Sequence, residues 1–205
     1  MATLKIHGVL PSPFTRTVVM AAHEKGIGHE LVPTTPPELG ALNPFGKIPV
    51  LVHGEVTLFE SLAILRYFER AFPGPKLWPD DPRAAAAVDQ WASAVSDSLV
   101  NSALRFIAAR FGFLPVPEEM AQKYLEKAHQ VVPAFDRQLG RSRFLAGEGL
   151  SAADLYLFPL LAYFPDLPEL KPILDAAPHC RRWMAEMATR PSAQATVPQK
   201  PKLAA

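Results

Sequence analysis

"IPVLVHGEVTLFESLAILRYFERAF", residues 48–72, decides the fold. Its first half reads as a β-hairpin with Gly54-Glu55 near the turn. Its second half has helical spacing, with Leu62, Leu65, Phe68 and Phe72 on one stripe and Ile64 and Tyr67 on another. Two stripes call for burial on more than one side. Upstream, Thr3 to Gly8 reads as a strand, Ser12 to Lys25 as a helix closed by Gly26, and His29 to Pro33 as a second strand. "TTPPELGALNPFG", residues 34–46, is a loop with at most a short helical turn. The order is βαβ followed by ββα, which requires a mixed sheet with a right-handed crossover.

Downstream the pattern changes. "PGPKLWPDDP", residues 73–82, has four prolines and a glycine and reads as a connection. It divides the chain into residues 1–74, a linker 75–82, and residues 83–205, where the periodicity is helical. Trp91, Val95, Leu99 and Phe106 line one long helix; Met120, Tyr124, Ala128, Val131 and Phe135 line the next. Pro133 falls inside that second pattern and predicts a kink, because it removes a backbone hydrogen bond. In "LSAADLYLFPLL", residues 150–161, Ser151 as N-cap and Asp154 three residues on form a capping box, with Leu150 and Leu155 at the staple positions. A last helix around "PHCRRWMAEMATR" buries Cys180, Trp183, Met184 and Met187, and the tail from Pro191 reads as irregular.

Composition excludes several classes. A net charge of +1 and the lack of a Lys/Arg run argue against nucleic acid and anionic membranes as partners. Cys180 is the single cysteine, so there is no internal disulfide, and Cys-based metal spacing is missing. Pro11 and Pro13 interrupt any signal-type apolar run, and "YLFPLLAYF" is far short of the roughly 20 residues that span a bilayer. A cytoplasmic protein is the expectation. The 22 prolines predict many short elements with sharp ends.

Four stretches together resemble one family. They are "GVLPSPFTRTVVMAAHEKGI" (8–27), "NPFGKIPVLVHGEVTLFESLAILRYF" (43–68), "FLAGEGLSAADLYLFP" (144–159) and "WMAEMATRPS" (183–192). The chain resembles the cytosolic glutathione transferases of the serine type, closest to the phi class and its bacterial relatives. The resemblance implies a thioredoxin-like α/β domain followed by an all-helical domain. It also implies glutathione as co-substrate, no permanently bound cofactor, and a homodimer. A non-catalytic ligand-binding or interaction protein on the same fold is the alternative.

Glutathione carries charges at both ends and a thiol between them. By resemblance, Ser61 would hold its γ-glutamyl carboxylate at a helix N-terminus, where bare N–H groups favour anions, and Glu60 would face the ammonium. Ile48, before a cis Pro49, would offer backbone N–H and C=O to the cysteinyl unit, and Lys47 would reach the glycyl carboxylate. Ser12, a plausible N-cap with Pro13 at the first helical position, would donate to the thiolate. A thiol with a pKa of about 8.5 needs about 2.7 kcal/mol to ionise two units lower. A hydrogen bond to a charged group gives about 1.5–3 kcal/mol and a helix N-terminus about 0.3–1, so no general base is needed. Thr15 more simply points back to the backbone, and Arg16 and Asp154 read as structural. Leu10, Phe14, Phe106, Phe111 and Phe113 are candidates for an electrophile pocket, each with a core role as the alternative. Phe45 would insert into a partner subunit. Two features depart from the family pattern: the 33–46 loop is short, and a basic residue for the glycyl carboxylate is missing from it.

Overall fold

Four short strands form one mixed sheet in the order β2-β1-β3-β4. They are β1 (Leu4–His7), β2 (Glu30–Val32), β3 (Val50–His53) and β4 (Val56–Phe59). The computed structural model describes residues 3–35, 39–40 and 42–199; residues 36–38 and 41 of the loop after β2, and 200–205 of the tail, lie outside the described residues. β1 pairs parallel with β2 across α1 (Pro13–Glu24), and antiparallel with β3, which pairs antiparallel with β4. α2 (Ser61–Ala71) follows β4 directly. Ile6, Val50 and Leu51 of the sheet are buried, as are Val18, Val19 and Met20 of α1 and Ile64, Leu65 and Phe68 of α2. Each such side chain contributes about 1.5–3 kcal/mol over an exposed one.

Among the described residues, those up to Trp78 cluster with 189–199 as one unit, and Pro79–Ala188 form a second. The first unit is thus the thioredoxin-like sheet with its two helices, plus a returning C-terminal segment. That segment departs from the sequence expectation twice. It is helical, as α9 (Pro191–Ala195), and it packs on α1 rather than trailing from the helical unit. α1 is therefore buried from Thr15 to Ala22.

The second unit is all helical. A single helical run comprises α3 (Pro82–Ala94), a π-helical stretch Val95–Leu104 and α4 (Arg105–Arg110). It is followed by α5 (Glu118–Leu139), α6 (Ala152–Leu161), a 3₁₀ turn Phe164–Asp166, α7 (Lys171–Asp175) and α8 (Pro178–Ala188). All ten residues of α6 are buried, which makes it the central helix of the unit. The expected capping box is present: the Asp154 carboxylate accepts from the Ser151 N–H at 2.9 Å and from its hydroxyl at 2.8 Å. It also accepts from Leu145 N–H at 2.8 Å and Trp183 Nε1 at 2.9 Å. α5 continues through Pro133 to Leu139. Its buried stripe is Ala121, Leu125, Ala128, Val132, Phe135 and Leu139, which corrects the expected Met120–Tyr124–Val131 line by one position. Both patterns share Ala128 and Phe135, and tertiary packing chooses between them. Met184 is half-buried, whereas Cys180, Trp183 and Met187 are buried as expected.

Candidate functional site

Strand register brings the predicted glutathione residues to one end of the sheet. His7, the last residue of β1, lies opposite Val50, the first of β3, and Val50 lies opposite Phe59, the last of β4. The chain segments beyond these three residues therefore leave the sheet at the same end. They are Gly8–Ser12 after β1, Lys47–Pro49 before β3, and Glu60–Ser61 after β4. His7 also pairs with Val32, so the loop after β2 begins there too. α1 and α2 both start at this end, and neither has an acidic residue in its first turn. No carboxylate within either first turn offsets the partial positive charge of the free N–H groups there, a combination that favours an anion, and Glu60 stands just ahead of α2.

Ser12 is the N-cap of α1, with Pro13 behind it as the first helical residue. Its Oγ accepts from the Thr15 N–H at 3.4 Å, a long bond. Capping uses one hydroxyl lone pair and leaves the proton available for donation. Thr15 differs from expectation. Its buried hydroxyl does not reach the backbone and has no partner among the described residues.

At α2 the cap is displaced by one residue. The sequence reading makes Ser61 the N-cap; in the structure Glu60 occupies that position and Ser61 begins the helix. The Ile64 N–H already bonds to the Glu60 carbonyl at 3.1 Å. The N–H groups of Ser61, Leu62 and Ala63 therefore have no acceptor within the helix. Ser61 is buried and Glu60 exposed. Glu60 has φ +66°, and among the described residues no other non-glycine has positive φ. A residue kept in that region is costly by about 1–3 kcal/mol, and such outliers gather at ligand sites.

The Ile48-Pro49 bond is cis. Lys47 is exposed, and its carbonyl accepts from Asn43 Nδ2 at 2.6 Å. Asn43 Oδ1 in turn accepts from the Phe45 N–H at 2.9 Å, and the Gly46 N–H bonds to the Asn43 carbonyl at 3.0 Å. Buried Asn43 therefore organises the whole Asn43-Pro44-Phe45-Gly46 turn. Sequence reasoning passed over it, although Asn, Pro and Gly stand at the first, second and fourth places such a turn favours.

The family comparison agrees with this layout. The glutathione S-transferase N-terminal domain model matches residues 11–71, and the C-terminal domain model matches residues 88–191. Glutathione S-transferase F14 of Arabidopsis thaliana is 33% identical over 194 residues, covering 87% of this chain and 76% of its own. The chain belongs to the glutathione S-transferase family. Its relatives are of the phi class. Glutathione S-transferase 4 of Zea mays is 32% identical over 206 residues, with 94% of this chain and 92% of its own covered. Among solved structures, glutathione transferase F7 from Populus trichocarpa aligns with a TM-score of 0.82 at 29% identity, over 95% of this chain and 97% of its own. Glutathione S-transferase I from maize, solved with an atrazine glutathione conjugate, aligns with a TM-score of 0.82 at 28% identity, over 95% and 96%.

The aromatic candidates separate under this description. Leu10 and Phe14 are half-buried beside Ser12 in sequence. Phe106 has no exposed surface and packs with the Arg110 guanidinium 4.6 Å over its ring, while Phe111 stands edge-on to Tyr163 at 5.7 Å. Both are buried side chains of the helical unit, the core role that the sequence reading set beside a pocket role. Phe113 is 67% exposed. Phe45 is 65% exposed, its ring edge-on to Phe59 at 5.8 Å. Among the described residues no cluster of three or more metal-ligating side chains occurs, and no helix is long and apolar enough to cross a membrane.

Proposed function

We propose that this glutathione S-transferase family member activates the glutathione thiol through Ser12 and conjugates the thiolate to hydrophobic electrophiles. The Ser12 hydroxyl proton donates to the sulfur anion at the N-terminus of α1. The N–H groups of Ser61, Leu62 and Ala63 receive the γ-glutamyl carboxylate, and the exposed Glu60 carboxylate faces the ammonium. The backbone of Ile48 pairs with the cysteinyl unit, and Lys47 reaches the glycyl carboxylate. Glutathione is a co-substrate, and hydroperoxide reduction is a second use of the same thiolate. The protein acts as a cytoplasmic homodimer in which Phe45 enters the partner subunit.

One observation carries this reading. The strand register gathers Ser12, the start of β3 and the start of α2 at one end of the sheet, where neither helix has an acidic residue in its first turn and Glu60 caps the second. A site for a thiol flanked by carboxylates needs that combination. Known relatives named as glutathione S-transferases, and a solved relative holding a glutathione conjugate, support the substrate.

The test is the thiolate absorbance of bound glutathione, titrated with pH in wild type and Ser12→Ala. In wild type the thiolate should form about two pH units below its solution value, and in the variant near that value. At pH 6.5 the variant's turnover should then fall about 50-fold, approaching wild type above pH 9, with glutathione still bound. Normal ionisation in both proteins would sink the mechanism and leave a ligand-binding protein.

A further inference from the structure

The returning C-terminal segment lies antiparallel to α1 and grips it at both ends. At the first turn, the buried Arg16 donates through Nε to Thr196 Oγ1 at 3.3 Å and through Nη2 to the Ala193 carbonyl at 3.2 Å. Arg16 thereby caps the C-terminal end of α9, where carbonyls lack partners and positive charge is favoured. At the last turn, Glu24 accepts two bonds from Arg190, at 2.8 and 2.6 Å, and one from the Ser192 hydroxyl. Thr196 is itself fully buried and donates to the Ser192 carbonyl at 2.7 Å. Eight residues separate Arg16 from Glu24, which is about 12 Å of helix.

Two directional contacts that far apart fix both the axial position of a helix and its rotation. The apolar burial of Val18, Val19 and Met20 fixes neither as sharply, because burial is non-directional. The first grip is close to the chemistry: the Arg16 N–H bonds to the Ser12 carbonyl at 2.9 Å. The Ser12 hydroxyl must meet a sulfur within about 0.5 Å of its productive position. Its own cap bond, at 3.4 Å, is too long to enforce that.

We propose that residues 190–196 are a clasp that sets the position of α1, making Arg16, Arg190 and Ser192 positioning residues for thiol activation by Ser12. The claim rests on the Ser12 reading above. It assigns a role in the glutathione site to a segment far from it in sequence.

The test uses the full-length chain with Arg190→Gln, the conservative Arg190→Lys, and Ser192→Ala as the milder variant should Arg190→Gln not fold. The readouts are the thiolate titration of bound glutathione and the separate kcat and KM for glutathione. Arg190→Gln should raise the titration midpoint by about one pH unit and lower kcat at pH 6.5 about fivefold, with KM within twofold of wild type. Arg190→Lys should restore most of the midpoint, and Ser192→Ala should shift it in the same direction by less. A purely structural clasp would lower the melting temperature and leave the midpoint where it was; that outcome overturns the proposal. If wild type shows no lowered midpoint, the Ser12 reading itself fails, and the two failures are distinguished by which protein deviates.

Discussion

Asp154 separates folding from chemistry at the scale of one side chain. It is fully buried on α6 and accepts four hydrogen bonds, two on each oxygen. Burial pushes its carboxyl above the ordinary value, although all four donors favour the anion. Asp154→Ala would leave the N–H groups of Leu145 and Ser151 and the Trp183 indole without that acceptor. Each stranded donor costs about 1–3 kcal/mol, so the variant should lose about 4 kcal/mol in chemical denaturation. Its folded fraction should still titrate glutathione as wild type does; a shifted thiolate midpoint would contradict a structural role. Asp154 was legible in the sequence because a capping box spans four consecutive residues, and the same holds for Ser12 and Pro13. Glu60 was legible as a residue type but not as a conformation, since nothing local demands φ +66° from a glutamate.

At the scale of elements, the junction of β1 and α1 depends on a close approach. A Cβ added at Gly8, whose φ is +156°, would stand 2.5 Å from Thr15 Oγ1 and 2.9 Å from its Cγ2. Gly8→Ala must therefore move the first turn of α1 or leave the strand strained, at a cost of about 1–3 kcal/mol. Thr15→Ala removes both crowding atoms along with a hydroxyl that has no partner among the described residues. The double variant should recover at least about 1 kcal/mol of the Gly8→Ala loss, read as a coupling energy in a urea denaturation cycle. Strict additivity would show that crowding is not the cause. The order of strands and helices along the chain came through in the sequence because hydrophobic period and turn residues are local signals. The exact stripe of α5 did not, because two registers share Ala128 and Phe135. Nor did the π-helical stretch Val95–Leu104, whose wider hydrogen-bond spacing leaves Val95 and Leu99 on one face just as an α-helix would. α9 was missed for a different reason: its contacts with Arg16 join residues 177 and 180 apart in sequence.

On the scale of the whole molecule, the outward surface of the first unit bears on assembly. Phe45 exposes 65% of its surface, yet its turn is tied down three ways: by two bonds to the Asn43 side chain, by the Gly46 N–H to the Asn43 carbonyl, and by the edge-on Phe59 ring. An exposed aromatic normally loses rotamer and backbone freedom when a partner covers it. Here the turn has given up much of that freedom beforehand, so area buried there by a partner would convert more fully into affinity. A two-fold dimer would use the ring twice, once from each subunit. Truncating a buried aromatic anchor typically costs 2 kcal/mol or more, about 30-fold in Kd. Phe45→Ala should therefore weaken self-association at least about 30-fold in sedimentation equilibrium. Asn43→Ala, which keeps the ring but frees the turn, should weaken it by a smaller factor. A protein that sediments as a monomer before any substitution would overturn the assembly, and a variant that associates as tightly as wild type would overturn the role of the ring.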